Sequence, residues 1–74
     1  MDIGNAVDRM RDGSHVRRAG WNGKGMWIAL TPGQPVDAAG TFCRPFVFMS
    51  TVDGSLIPWL CSQTDLLAID WELA

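Results

Sequence analysis

A single stretch of helical spacing, followed only by short alternating runs cut by glycine and proline, decides what this chain can fold into. Ile3, Ala6, Val7 and Met10 recur at i, i+3, i+4 and i+7, the mark of a helix with one apolar stripe. Asp2 stands where an N-cap belongs, and Gly13 suits the left-handed residue that ends a helix. Asn5, Asp8, Arg9 and Asp12 fall on the opposite face. Beyond Gly13 the period drops to two. Residues 14–18 read as a short strand, with His15 and Arg17 on one side and Val16 and Arg18 on the other. Residues 26–31 and 44–51 are stronger strands, the second alternating Phe46 and Phe48 with Val47 and Met49. Asp53-Gly54 is a tight-hairpin pair, so residues 55–57 are expected to fold back, with Pro58 ending that strand for want of an N–H. Residues 19–25 and 32–40 read as loops. Ser62 to Asp65 has capping-box spacing, with Asp in place of Glu or Gln, and opens a short helix through Leu66, Leu67 and Ala68. Ile69, Trp71 and Leu73 then alternate with Asp70 and Glu72, the period of a half-buried last strand with Trp71 in the core. The expected fold is α+β: a small antiparallel β-sheet packed against an N-terminal α-helix, with a short second helix before the last strand.

Size limits this fold. Residues 1–74 make one domain, and a chain so short buries only about 60% of its unfolded surface. Hydrophobic residues nevertheless make up 47% of it, four of them tryptophan. Part of that apolar surface is therefore expected between subunits. The net charge of −2 argues against DNA or RNA polymers, which need a basic face, but leaves room for a small phosphate ligand that needs one or two local cations. With no apolar leader, membrane-length run or lipidation motif, the chain reads as soluble and intracellular. Cys43 and Cys61 lack CxxC spacing and read as reduced apolar side chains, with a disulfide the alternative. His15 stands alone, so neither a metal site nor a cofactor is expected.

Two tryptophan-bearing segments concentrate the chemistry. In the first, Arg17-Arg18-Ala19-Gly20-Trp21-Asn22-Gly23-Lys24-Gly25, a flat ring sits beside basic side chains, an amide and glycines. Trp21 is the candidate platform for a base, or else an anchor that ties the loop to the core. Asn22 offers a donor and an acceptor to a base edge or ribose, and Gly23 lets backbone approach a ligand. Arg18 is favoured over Arg17 as the phosphate partner because it is nearer Trp21, and Lys24 is a flexible side chain that closes over the ligand. In the other segment, Pro58-Trp59-Leu60-Cys61-Ser62-Gln63-Thr64-Asp65, Trp59 is a second stacking surface or an interface residue. Gln63 and Thr64 are open to ligand contact, Ser62 is foremost a cap, and Asp65 suits ribose hydroxyls better than an anion.

The run Val16-Arg17-Arg18-Ala19-Gly20-Trp21-Asn22-Gly23-Lys24-Gly25-Met26 resembles a signature of the Thoeris anti-defence 2 family. So does the second half, Thr51-Val52-Asp53-Gly54, then Pro58-Trp59 and residues 62–71. The resemblance implies a small phage-encoded sponge, acting in the cytoplasm of the infected bacterial host. It implies a ligand that is a glycocyclic ADP-ribose isomer made by a TIR-domain sensor, with cyclic di- or trinucleotides of cyclic-oligonucleotide defence (CBASS) as further ligands. It also implies a homotetramer, a dimer of dimers, with pockets at subunit interfaces. Ligand choice is expected to vary with the 32–40 segment.

A sponge must outcompete a host receptor, which calls for a nanomolar dissociation constant, about −12 kcal/mol. One aromatic stack supplies about 1–3 kcal/mol, so two are insufficient. Charge-assisted bonds of roughly 1.5–3 kcal/mol each and desolvation in a cleft have to contribute. The competing readings are a hydrolase of the same nucleotides and a protein-binding inhibitor of a host enzyme. Against the hydrolase, no nucleophile elbow, His–carboxylate pair or metal cluster appears at motif spacing.

Overall fold

Helix α1 (Ile3–Arg11) begins where the Asp2 carboxylate accepts the Asn5 N–H at 2.9 Å. It ends at the Asp12 cap and the left-handed Gly13. Ala6 and Met10 are buried, and Ile3 and Val7 pack around them, so the stripe legible in the sequence is the face laid on the sheet. The computed structural model describes residues 1–21 and 25–74. Its main sheet joins β1 (Val16–Arg18), β2 (Trp27–Leu30), β5 (Val47–Ser50), β6 (Leu56–Pro58) and β7 (Trp71–Leu73), in the order β6-β5-β2-β1-β7. Every pairing in it is antiparallel. Val16 faces Ile28, and Ile28 faces Met49, so three buried residues line up across three strands beneath α1. Trp71, 2% exposed, completes this core from β7. The α+β architecture is the one expected, including the short helix α2 (Gln63–Leu66) ahead of the last strand.

The details depart from the sequence reading in four places. The 32–40 segment is not all loop: β3 (Gln34–Pro35) pairs with β4 (Phe42–Cys43) in a separate two-stranded ribbon. This turn is closed by the Asp37 carboxylate, which accepts the Ala39 and Thr41 N–H groups at 3.0 and 3.1 Å, a device that alternation does not reveal. The Phe42 ring lies so close over Gly33 that a Cβ there would stand 2.6 Å from it.

Pro58 does not end the ladder. The Trp59 N–H still donates to the Val47 carbonyl at 3.0 Å. Phe48 and Pro58 form the pair without mutual hydrogen bonds, so the missing N–H falls on the outer side of an edge strand. The Asp53-Gly54 hairpin does close, through a three-residue loop in which Gly54 takes φ +86° and Thr51 N–H donates to Ser55 O at 2.8 Å.

Helix α2 stops at Leu66 and is capped by Leu67, so Ala68 lies beyond it. The final strand starts only at Trp71, and Ile69 is 83% exposed. The turn out of α2 uses up the residues that alternation had assigned to the strand.

Candidate functional site

The end of β1, residues 19–21, helix α2 and the start of β7 meet at one end of the sheet. Val16 points into the core, and two positions on Arg18 lies on the same side but at the strand's end, with its side chain 19% exposed. Its guanidinium is held by two carboxylates. Nε donates to Asp70 Oδ1 at 2.8 Å, and Nη1 donates to Asp65 Oδ1 at 2.8 Å. Asp70 Oδ2 accepts the Gly20 N–H at 3.0 Å. Asp65 Oδ1 also accepts the Trp21 indole N–H at 3.3 Å, while the Asp65 carbonyl accepts that of Trp71 at 3.1 Å.

Charge follows geometry here. Hydrogen bonds to Asp70 and Asp65 raise the Arg18 pKa further and fix its charge. Burial pushes the Asp65 carboxyl up, but hydrogen bonds from Arg18, Trp21 and Ser62 and the Arg18 charge outweigh it and hold the group below the usual carboxylate range. The Arg18 hydrogen bond likewise lowers Asp70, helped by the Gly20 N–H.

Three tryptophans pack edge to face around this cluster. Trp21 meets Trp71 at 5.4 Å and 79°, Trp59 meets Trp71 at 6.0 Å and 87°, and Trp21 meets Trp59 at 6.5 Å and 62°. Trp71 is the buried member, while Trp21 and Trp59 are half-buried. Each therefore combines anchorage on the core with a part that reaches the surface.

Of the residues singled out in the sequence, the fold brings together Arg18, Trp21, Trp59 and Asp65. Ser62 is the N-cap of α2, its hydroxyl accepting the Asp65 N–H at 3.0 Å. Gln63 and Thr64 are exposed on the same short helix. Asn22, Gly23 and Lys24 lie outside the described residues. The Asp65 carboxylate turns to Arg18 and Trp21, so only the Ser62 half of the capping box forms. Sequence reasoning missed Asp70 as a partner of this cluster. Its cue was an acid immediately before the strand that pairs with β1, and that pairing of β1 with β7 spans most of the chain. Among the described residues, no three His, Cys, Asp or Glu side chains converge on a metal-sized point. Nor is any helix there long and apolar enough to cross a membrane. Away from this cluster, a concavity lined by Thr31, Phe46, Phe48, Leu56, Ile57 and Pro58 contains no charged group to meet a phosphate.

A helix-backed antiparallel sheet with an ion-paired tryptophan cluster at one end is thus the frame of a small α+β domain. Residues 1–74 match the family model for the Thoeris anti-defense 2-like domain, and the chain belongs to that family. Among its relatives is Thoeris anti-defense 2 of Bacillus phage SP01. The two are 33% identical over 85 aligned residues, which cover 99% of this chain and 93% of that protein.

Proposed function

We propose that this chain is a non-catalytic sponge for cyclic nucleotide immune signals. Its foremost ligand is a glycocyclic ADP-ribose isomer made by TIR-domain sensors of Thoeris defence, with cyclic di- and trinucleotides as further candidates. Sequestration in the cytoplasm of an infected bacterium blunts the host's anti-phage defence. Membership of the family, through the match over residues 1–74, supports this ligand class. The observation on this chain that carries the reading is the pair of half-buried indoles, Trp21 and Trp59, the first bonded through its N–H to Asp65 of the short helix on which Gln63 and Thr64 are exposed. Part-exposed rings stack on bases, and the polar side chains read base edges and ribose.

Asn22, Gly23 and Lys24 complete the ligand set, with Lys24 the cation for phosphate. Adjoining copies of the domain, assembled as a tetramer, close the cleft that one copy is too small to form. The acids of the cluster support a binding role over hydrolysis: Asp65 and Asp70 are both committed to Arg18, which leaves neither poised as a general base.

The test is uptake followed by recovery. Glycocyclic ADP-ribose incubated with the protein and released by boiling should return chemically intact. Cleaved product would convert the reading to a hydrolase. No uptake of any cyclic nucleotide, together with a stable complex with a host enzyme, would convert it to a protein-binding inhibitor. In a thermal-shift panel at equal concentration, the preferred nucleotide should raise the melting temperature most.

A further inference from the structure

We infer that Arg18, Asp65 and Asp70 serve this site as positioning residues that set the Trp21 indole, and that they are not contacts to the ligand's phosphates. The inference rests on the sponge reading and overturns the simplest assignment of an arginine beside a tryptophan.

The geometry is closed on itself. Both ion pairs of Arg18 are 2.8 Å long, and they spread over two edges of the guanidinium, Nε to Asp70 and Nη1 to Asp65. Two carboxylates on one cation leave the trio with a net negative charge, which repels phosphate. Each carboxylate meanwhile spends a further interaction on Trp21 or its neighbour. Asp70 Oδ2 takes the Gly20 N–H at 3.0 Å, directly before the ring. Asp65 Oδ1 takes the indole N–H of Trp21 itself at 3.3 Å. The Trp21 backbone N–H closes back on the Arg18 carbonyl at 3.2 Å. Trp71, the edge-on neighbour of Trp21, is pinned through its own N–H to the Asp65 carbonyl. The indole is thereby fixed through the backbone before it, through its own N–H and through the ring beside it. Only a planar fork with separated donors bridges both acids at once; a lysine ammonium is a single point of charge.

Positioning and phosphate contact predict opposite signs, so the test is direct. Affinity for purified glycocyclic ADP-ribose is measured by calorimetry for the wild type and for Asp65→Asn, Asp70→Asn, Arg18→Lys and Arg18→Gln. If Arg18 held phosphate, removing a competing carboxylate charge would free the guanidinium and tighten binding, and lysine would largely substitute for arginine. Under positioning, loss of the charge-assisted hydrogen bond outweighs the relieved repulsion of phosphate, and each acid-to-amide change weakens binding by about tenfold. Arg18→Lys then loses as much as Arg18→Gln.

A second readout needs no ligand. Near-ultraviolet circular dichroism reports the coupled indoles, and Trp21→Phe identifies the part that Trp21 contributes. Arg18→Lys and Asp70→Asn should lose that same part while keeping the far-ultraviolet spectrum of the fold. Should Asp70→Asn fail to fold, Asp65→Asn carries the sign test, since it preserves shape and removes only the carboxylate charge that holds Arg18 and the indole. Tighter binding by Asp65→Asn, or wild-type affinity and spectrum in Arg18→Lys, overturns the inference. A wild type that takes up no probe removes the sponge reading instead, and the ligand-free spectra still decide whether the trio sets the Trp21 ring.

Discussion

At the scale of single residues, Trp71 carries the most. It is the largest fully buried side chain, it anchors Asp65 through its N–H, and both half-buried indoles lean on its ring. Trp71→Ala should destabilise the domain by about 3–5 kcal/mol, read as a lowered urea midpoint, and should disorganise the site with the core. Acid should act through the carboxylates. The hydrogen bond from the Thr51 hydroxyl, then that from the Ser55 N–H, pulls Asp53 down to about 2, and Asp65 and Asp70 are also lowered. A carboxyl lowered in the folded state contributes stability that is present above its unfolded pKa of about 4 and disappears as pH falls through the folded value. Melting temperature should therefore hold above pH 5 and fall steeply between about pH 4 and 2. Asp53→Asn should flatten that slope in a pH series of thermal melts.

At the scale of elements, the β5–β6 hairpin is exposed to misassociation, because β6 is one of the two edges of the main sheet. Gly54 sits at φ +86°, so Gly54→Ala should cost about 1–2 kcal/mol, read as a lower unfolding midpoint. Pro58 removes an outward-facing donor from the edge. Pro58→Val should leave monomer stability within about 0.5 kcal/mol yet promote concentration-dependent association, visible by light scattering, because the edge regains an N–H. The hairpin turn and the α1 caps were readable because each depends on a local pair of residues. The β3–β4 ribbon was not, because each of its strands is only two residues long, too short to show alternation.

At the scale of the whole molecule, the buried hydrophobic core is small, built from Ala6, Met10, Val16, Ile28, Ala29, Met49 and Trp71. Large apolar side chains remain outside it, among them Phe42 at 60% exposure, Leu56 at 61% and Leu67 at 76%. These exposed apolar side chains support assembly of several copies. Multi-angle light scattering should give a mass several times the 8.1 kDa monomer, and the melting temperature should rise with protein concentration. A mass of 8.1 kDa at every concentration would exclude the assembly and, with it, the intersubunit cleft proposed for the nucleotide.

What the sequence alone determined is whatever depends on near neighbours: the stripe and caps of α1, the strands around Ile28 and Met49, the Asp53-Gly54 turn, and the two tryptophan segments as the place of interest. Helical and strand periods, caps and turns are encoded within a few residues, so they survive without knowledge of the fold. The tertiary structure alone decided which acids meet Arg18. Arg18 and Asp70 lie 52 positions apart, and Arg18 and Asp65 lie 47 apart. They become partners only because β7 returns to pair with β1, leaving a guanidinium at a strand end where burial makes an unmatched charge costly and two carboxylates are within reach.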